Sequence, residues 1–317
     1  MSFAFVFPGQ GSQSVGMLGA LGGAYEVVRE TFGEASAVVG FDLWKLASEG
    51  PEEALNTTER TQPVMLAAGV ATWRAWLAQG GGAPAVVSGH SLGEFTALVC
   101  AGSLDFRAAV GLVRLRGEFM QAAVPAGTGA MAAILGLEDE AVEAACREAA
   151  QGAVVEPANF NSPSQVVIAG ERAAVERAIE LAKARGAKRA VVLPVSVPSH
   201  TSLMRGAGER LGERLRALEV RTPHIRYVSA VDAGAHSEPD DIREVLVRQI
   251  SSPVRWPQTL RAVSAGGIAQ VIECGPGKVL TGLNRRIERR ADLSFLALED
   301  PASIASALTS TQGDVHA

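Results

Sequence analysis

The five residues Gly89-His90-Ser91-Leu92-Gly93 constrain this chain more than any other stretch. An apolar run, Ala85–Ser88, leads into them, and a helical run begins at Glu94. Strand before and helix after is the setting that G-x-S-x-G requires to form a nucleophile elbow. The glycines permit a sharp turn and close packing of the helix, and the turn lifts the Ser91 hydroxyl clear of the backbone. The Leu92 N–H then lies at a helix N-terminus, where it can stabilise a developing oxyanion. The chain has 34 glycines, so the five letters alone could arise by chance; the flanking elements carry the reading.

The rest of the pattern is that of an α/β protein with a parallel-sheet core. Phe3–Phe7 reads as a short buried strand stopped by Pro8-Gly9-Gln10-Gly11, and helical stretches, clearest at Gln62–Ala78, separate it from the strand before Ser91. Strands alternating with helices predict a parallel sheet covered on both faces. The rhythm changes over residues 128–195. A strand at Ala130–Leu135 is followed by a helix with Val142, Ala145, Cys146 and Ala149 on one face. Strands near Val154–Phe160 and Gln165–Ala169 follow, joined through Asn161-Ser162-Pro163-Ser164, then a helix presenting Val175, Ala178, Ile179 and Ala182, and a strand at Ala190–Leu193. The order βαββαβ predicts a ferredoxin-like subdomain, inserted between core segments 1–127 and 196–309. Core patterning resumes at Ser199–Leu218, Ile225–Ala230 and Gln270–Glu273. The polar stretch 310–317 is expected to be a disordered tail.

A serine hydroxyl is inert at neutral pH without a nearby base. Of the five histidines, His316 lies in the tail, His236 in a polar loop, and His224 opens a strand after Pro223. His90 adjoins Ser91, and neighbouring side chains diverge. His200 follows Val197-Pro198-Ser199, where a strand gives way to a proline turn and a helix, and strand ends of parallel sheets are where sites assemble. By elimination His200 is the candidate base, against the reading of a satisfied structural histidine. Arg116 falls on the apolar stripe of the helix Ala108–Ala123, seven residues from Ala109, whereas Arg114 falls off it. A guanidinium aimed inward must find an anion. Either an internal Asp or Glu or a substrate carboxylate, gripped bidentately, would serve.

The net charge of −5 argues against nucleic acid as the main partner. The N-terminal residues carry no basic segment of a signal peptide, and no apolar run is long enough to cross a bilayer. Three widely spaced cysteines, Cys100, Cys146 and Cys274, suit neither a disulfide framework nor a metal site. The cytoplasm and a monomer are the expectations. Gly9-Gln10-Gly11 lacks the third glycine of a dinucleotide loop, and Gly277-Lys278-Val279 lacks the features of a P-loop.

Taken together, the motifs resemble the malonyl-CoA:acyl carrier protein transacylases over nearly the whole chain. They are Phe7-Pro8-Gly9-Gln10-Gly11-Ser12-Gln13, Gly89-His90-Ser91-Leu92-Gly93-Glu94, Arg116-Gly117 with Met120-Gln121, and Val197-Pro198-Ser199-His200. Gln249 before Ser252-Pro253-Val254-Arg255-Trp256, and Glu273-Cys274-Gly275-Pro276-Gly277, complete the series. The resemblance implies a hydrolase-like α/β core with a ferredoxin-like insertion, Ser91 as nucleophile and His200 as base. It implies that Arg116 holds the malonyl carboxylate, and that Gln10 and the Leu92 N–H line the oxyanion hole. The backbone carbonyl near Gln249 would orient the His200 ring in place of an acidic residue. The substrates implied are malonyl-CoA and acyl carrier protein, with no metal and no cofactor beyond the coenzyme A thioester. Ser199, before the histidine, departs from the bulky residue of malonyl-selective relatives, so malonyl is expected to be preferred without being exclusive. The carrier is acidic in this pathway, and the basic residues Lys188, Arg189, Arg285 and Arg286 are candidates to dock it. A serine hydrolase would share the elbow and the base but gives no reason for Arg116. A non-catalytic carrier-binding module gives no reason for the three residues together.

Overall fold

The computed structural model describes residues 1–125, 127–195 and 197–312. Its strands are β1 (Phe3–Phe7), β2 (Val86–Gly89), β3 (Gly129–Leu135), β4 (Val155–Ser162), β5 (Gln165–Glu171), β6 (Arg189–Val192), β7 (Arg226–Val228), β8 (Ala235–His236), β9 (Val254–Arg255), β10 (Gln270–Glu273) and β11 (Ser294–Ala297). They form two sheets. The first has the order β11-β10-β1-β2-β7-β8 and is parallel except at its β7–β8 edge. All five residues of β1 and all four of β2 and β10 are buried, as expected of strands covered on both faces. Because these three strands run in parallel, the loops leaving β1, β2 and β10 emerge at the same edge of the sheet.

The second sheet has the order β6-β3-β5-β4-β9. Its first four strands are antiparallel and, with the helices Asp139–Ala150 and Arg172–Ala184, follow the βαββαβ order expected of a ferredoxin-like fold. Val142, Ala145, Cys146 and Ala149 on one helix and Val175, Ala178, Ile179 and Ala182 on the other are all buried in a shared cluster. The fifth strand comes from far along the chain: β9 pairs in parallel with β4 at Asn159↔Val254 and Phe160↔Arg255. Arg255 also donates its N–H to the Ala230 carbonyl just beyond β7. The same short segment therefore ties both sheets together.

Two expectations are corrected, at Asn161 and at residues 310–312. Strand β4 runs on to Ser162, so Asn161 is a strand residue and the turn shrinks to Pro163–Ser164, with Ser164 in the left-handed region. The proline turn expected ahead of the next helix spans Val197–Thr201, and a 3-10 turn at Ser202 opens that helix. Residues 310–312 belong to the helix Pro301–Gln312. Asp300 caps that helix through the Ser303 N–H, Ile304 and Ala307 bury its inner face, and the Thr311 carbonyl accepts from the amino terminus. A polar surface face hid this helix from composition alone. The remainder of the expected tail, 313–317, lies outside the described residues, and His316 with it.

The glycines of the elbow are set by packing. A Cβ on Gly93 would press into the Phe7 carbonyl of β1, and one on Gly89 into the Gly93 backbone. Gly33, on an exposed helix face, has open space around it. Gly93→Ala is expected to lose about 3 kcal/mol or more from overpacking against immovable backbone. Gly33→Ala is expected to gain up to about 1 kcal/mol from helix propensity. Urea denaturation of the two variants beside the parent checks both signs.

Candidate active site

Ser91 sits at the apex of the β2–helix turn with φ 51, in the left-handed region that a non-glycine residue enters only under constraint. His200 is in the same region, at φ 64. Its loop is held by Thr201 Oγ1 donating to the Pro198 carbonyl and by the His200 N–H donating to the Ile250 carbonyl. The two strained residues meet: His200 Nε2 lies 2.8 Å from Ser91 Oγ. At the far side of the ring, Nδ1 lies 2.9 Å from the Gln249 carbonyl oxygen and 3.1 Å from that of Ser252. Carbonyl oxygens only accept, so the proton resides on Nδ1 and Nε2 offers a lone pair to the serine hydroxyl. Two main-chain carbonyls thus orient the ring, and no carboxylate among the described residues does.

Arg116 projects from the helix Phe106–Ala122 among Ala109, Leu112, Val113 and Met120 and is 2% exposed. Gly117 lets this helix approach the helix Thr58–Ala78 closely; a Cβ there would stand 2.7 Å from Glu59 Cα. Across that contact Arg116 Nη1 donates to Gln62 Oε1 at 2.8 Å. Nη2 donates to Gln249 Oε1 at 2.9 Å and to Ser91 Oγ at 3.2 Å. Among the described residues Arg116 makes no ion pair, and its Nε has no hydrogen-bond partner. The choice left open by helix geometry falls against an internal Asp or Glu in direct contact. Burial pulls the Arg116 pKa down to about 10, with nearby Glu94 opposing the shift, so the side chain is still a cation at neutral pH.

The remaining candidates take different places. Leu92 is buried, and its N–H, at the cap of the helix Gly93–Cys100, donates to no acceptor among the described residues; the same holds for the Gln10 N–H. Gly9 packs on the His90 carbonyl, which seats this loop against the elbow. The Gln10 side chain has its Nε2 3.5 Å from Thr58 Oγ1. Gln249 reaches further than its carbonyl: its Nε2 donates to the Ser91 carbonyl at 3.0 Å and to a Glu94 oxygen. Sequence reasoning missed Gln62, Glu94 and Asn161. Asn161 Oδ1 lies 2.9 Å from His90 Nε2, which joins β4 to the elbow. Glu94 stands inside the quoted motif, but nothing in its spacing reveals that the side chain is wholly buried. Among the described residues no cluster of three or more His, Cys, Asp or Glu could hold a metal, and no helix is long and apolar enough to cross a membrane.

The family model for the acyl transferase domain matches residues 4–297. The malonyl CoA-acyl carrier protein transacylase of Escherichia coli (strain K12) is 55% identical over 306 residues, covering 96% of this chain and 98% of that protein. The chain belongs to the malonyl-CoA:acyl carrier protein transacylase family. The enzyme of that name from Bacillus subtilis (strain 168) is 44% identical over 306 residues, covering 96% of each chain. Among solved structures, an acyl carrier protein S-malonyltransferase from Vibrio cholerae is 56% identical with a TM-score of 0.93, covering 97% of this chain and 100% of that one. A malonyl-transacylase solved in complex with its type II polyketide synthase acyl-carrier protein is 54% identical with a TM-score of 0.95, covering 97% and 99%.

Burial, and second the positive charge of Arg116, push the His200 pKa down from 6.5 to about 3, while its two carbonyl partners oppose the shift. The unfolded chain therefore takes up a proton below 6.5 that the folded site refuses. This contribution to stability is complete above 6.5 and is lost as the pH falls toward 3. Labelling of Ser91 by an uncharged serine-directed acylating probe is expected to stay flat from alkaline pH down past 6.5. In Arg116→Ala one depressing charge is gone, so the acid fall-off is expected to move to higher pH. A pH series of labelling rates for the two proteins measures both.

Proposed function

We propose that this protein transfers a malonyl group from coenzyme A to the phosphopantetheine thiol of acyl carrier protein by a ping-pong mechanism through an ester on Ser91. It thereby supplies extender units for fatty-acid or polyketide synthesis. The observation that carries this reading is a buried guanidinium beside the nucleophile with only amide and hydroxyl oxygens around it. A buried cation with no carboxylate in contact among the described residues is a costly arrangement that a carboxylate-bearing acyl group completes. A plain esterase has no use for it.

In the first half-reaction His200 Nε2 takes the Ser91 proton as Oγ attacks the thioester carbon. The carbonyl oxygen becomes an oxyanion, received by the N–H groups of Leu92 and Gln10. The tetrahedral adduct collapses, the C–S bond breaks, and the proton held on His200 passes to the departing coenzyme A thiolate. The malonyl carboxylate occupies Arg116 throughout. That pairing offsets the positive charge which depresses His200, so bound substrate strengthens the base that attacks it. The carrier thiol then repeats the sequence in reverse order. One thioester is exchanged for another, so the reaction balances with no further cofactor. The described cysteines are free and buried, which suits a reducing cytoplasm.

The carrier approaches, in this reading, over the exposed basic residues Lys188, Arg189, Arg285 and Arg286. Leu135 pairs with Gln165 on one side and with Arg189 on the other, and Arg286 Nη1 donates to Gln165 Oε1 at 2.9 Å. Gln165 faces Ser162, next to the Asn161 that holds His90, so this end of the second sheet borders the Ser91 turn.

Intact-protein mass spectrometry after brief exposure to malonyl-CoA is expected to find one malonyl adduct, absent in Ser91→Ala and discharged by carrier protein. Free malonate accumulating without an adduct would indicate a hydrolase. Arg116→Ala is expected to lower malonyl transfer by roughly two orders of magnitude, the scale of a lost buried charge pair, while sparing acetyl transfer. Charge reversal at Lys188 and Arg286 is expected to raise KM for the carrier and leave KM for malonyl-CoA unchanged, as read from steady-state rates with each substrate varied.

A further inference from the structure

Glu94 is fully buried on the first turn of the helix after Ser91 and makes no ion pair among the described residues. One carboxylate oxygen accepts the Ala230 N–H and the other accepts from Gln249 Nε2. Burial pushes its pKa up, while the donors from Ala230 and Gln249 favour the ionised form. Gln249, itself 1% exposed, is the hub of the site. Its carbonyl holds His200, its Nε2 serves the Ser91 carbonyl and Glu94, and its Oε1 faces Arg116.

A primary amide can sit in its cavity two ways round with almost the same shape. Reversed, Gln249 would present its NH₂ to the Arg116 cation and its oxygen to two acceptors. The Ser91 carbonyl and the ionised Glu94 carboxylate both only accept, and the charged acceptor is the stronger of the two in holding the amide in its one orientation. We infer that Glu94 is a positioning residue: it fixes the Gln249 amide so that Arg116 is held by neutral oxygens and its charge stays available to a substrate carboxylate. Placed in contact with Arg116, the same carboxylate would neutralise the cation and compete with substrate. Set behind one glutamine, it supports the charge from a distance, and the amide oxygens yield when a malonyl carboxylate arrives. Preference for acyl groups ending in a carboxylate therefore depends on a residue that touches neither substrate nor Arg116.

This inference rests on the transferase reading, and its test separates the two. Glu94→Gln keeps size and can still accept from Ala230, but it sets one NH₂ against another at Gln249. Rates of Ser91 acylation by malonyl-CoA and acetyl-CoA are compared for parent and variant by mass spectrometry over a range of donor concentrations. The malonyl-to-acetyl ratio is expected to fall at least roughly tenfold, the scale of one lost charge-assisted hydrogen bond. The fall should appear as a higher KM for malonyl-CoA, with acetyl acylation held within about threefold. Equal losses with both donors, or an unchanged ratio, would overturn the role of Glu94. A parent enzyme without preference for malonyl would instead overturn the transferase reading. Should Glu94→Gln not fold, Gln249→Met removes the amide and keeps the carbonyl that holds His200; there too the ratio is expected to collapse, and its persistence would overturn the inference.

Discussion

The site is organised around one buried positive charge. Taking a guanidinium out of water costs several kcal/mol unless something replaces its hydration. Around Arg116 the replacement is partial: the amide oxygens of Gln62 and Gln249 and the Ser91 hydroxyl accept, and Phe95 offers its ring face 5.5 Å away. Each of these groups has to be brought from a different part of the chain. Gln62 comes from the long central helix, Gln249 from the end of the helix Pro239–Gln249, and Ser91 from the elbow. Much of the core packing can be understood as what holds those three oxygens in place.

The same charge couples binding to chemistry. With burial as the larger cause, it depresses the His200 pKa and so helps keep the imidazole neutral and able to accept a proton; in the proposed reaction a carboxylate on Arg116 relaxes its share of that depression. Gln249 carries the connection physically, since one residue supports the base through its carbonyl and the arginine through its side chain. Main-chain carbonyls suffice to orient His200 because they fix the tautomer, which is the structural service a triad carboxylate performs elsewhere. What they do not add is a negative charge beside the imidazolium. In this site that leaves the local field dominated by Arg116.

The two sheets contribute unequally. The parallel sheet supplies the elbow, and its register places Phe7 opposite Gly89 so that the Pro8–Gln10 loop lies over the turn. The smaller sheet contributes through Asn161 on His90 and through Glu156, whose oxygens accept the Ser202 N–H at 2.8 Å and the Ser202 hydroxyl at 2.8 Å, just beyond His200. The pairing of β4 with β9, and the Arg255 N–H on the Ala230 carbonyl, join the two sheets beside these contacts.

Periodicity was enough to determine the α/β alternation, the βαββαβ order and the inward aim of Arg116, because these follow from which side chains avoid water along each element. Ser91 was legible because the elbow is local: five consecutive residues carry its geometry. His200 could be reached only by elimination, and Gln249 only through resemblance, because their partners lie 109 and 133 residues away from them in Ser91 and Arg116. Glu94 was invisible in role, since a carboxylate at a helix start is ordinarily a solvated residue. Tertiary structure alone decided that it would be buried, that the Gln249 amide oxygen would face the arginine, and that no carboxylate among the described residues would touch Arg116. Those outcomes depend on side-chain atoms converging from distant segments, and hydrogen-bond direction is settled only where donors and acceptors meet.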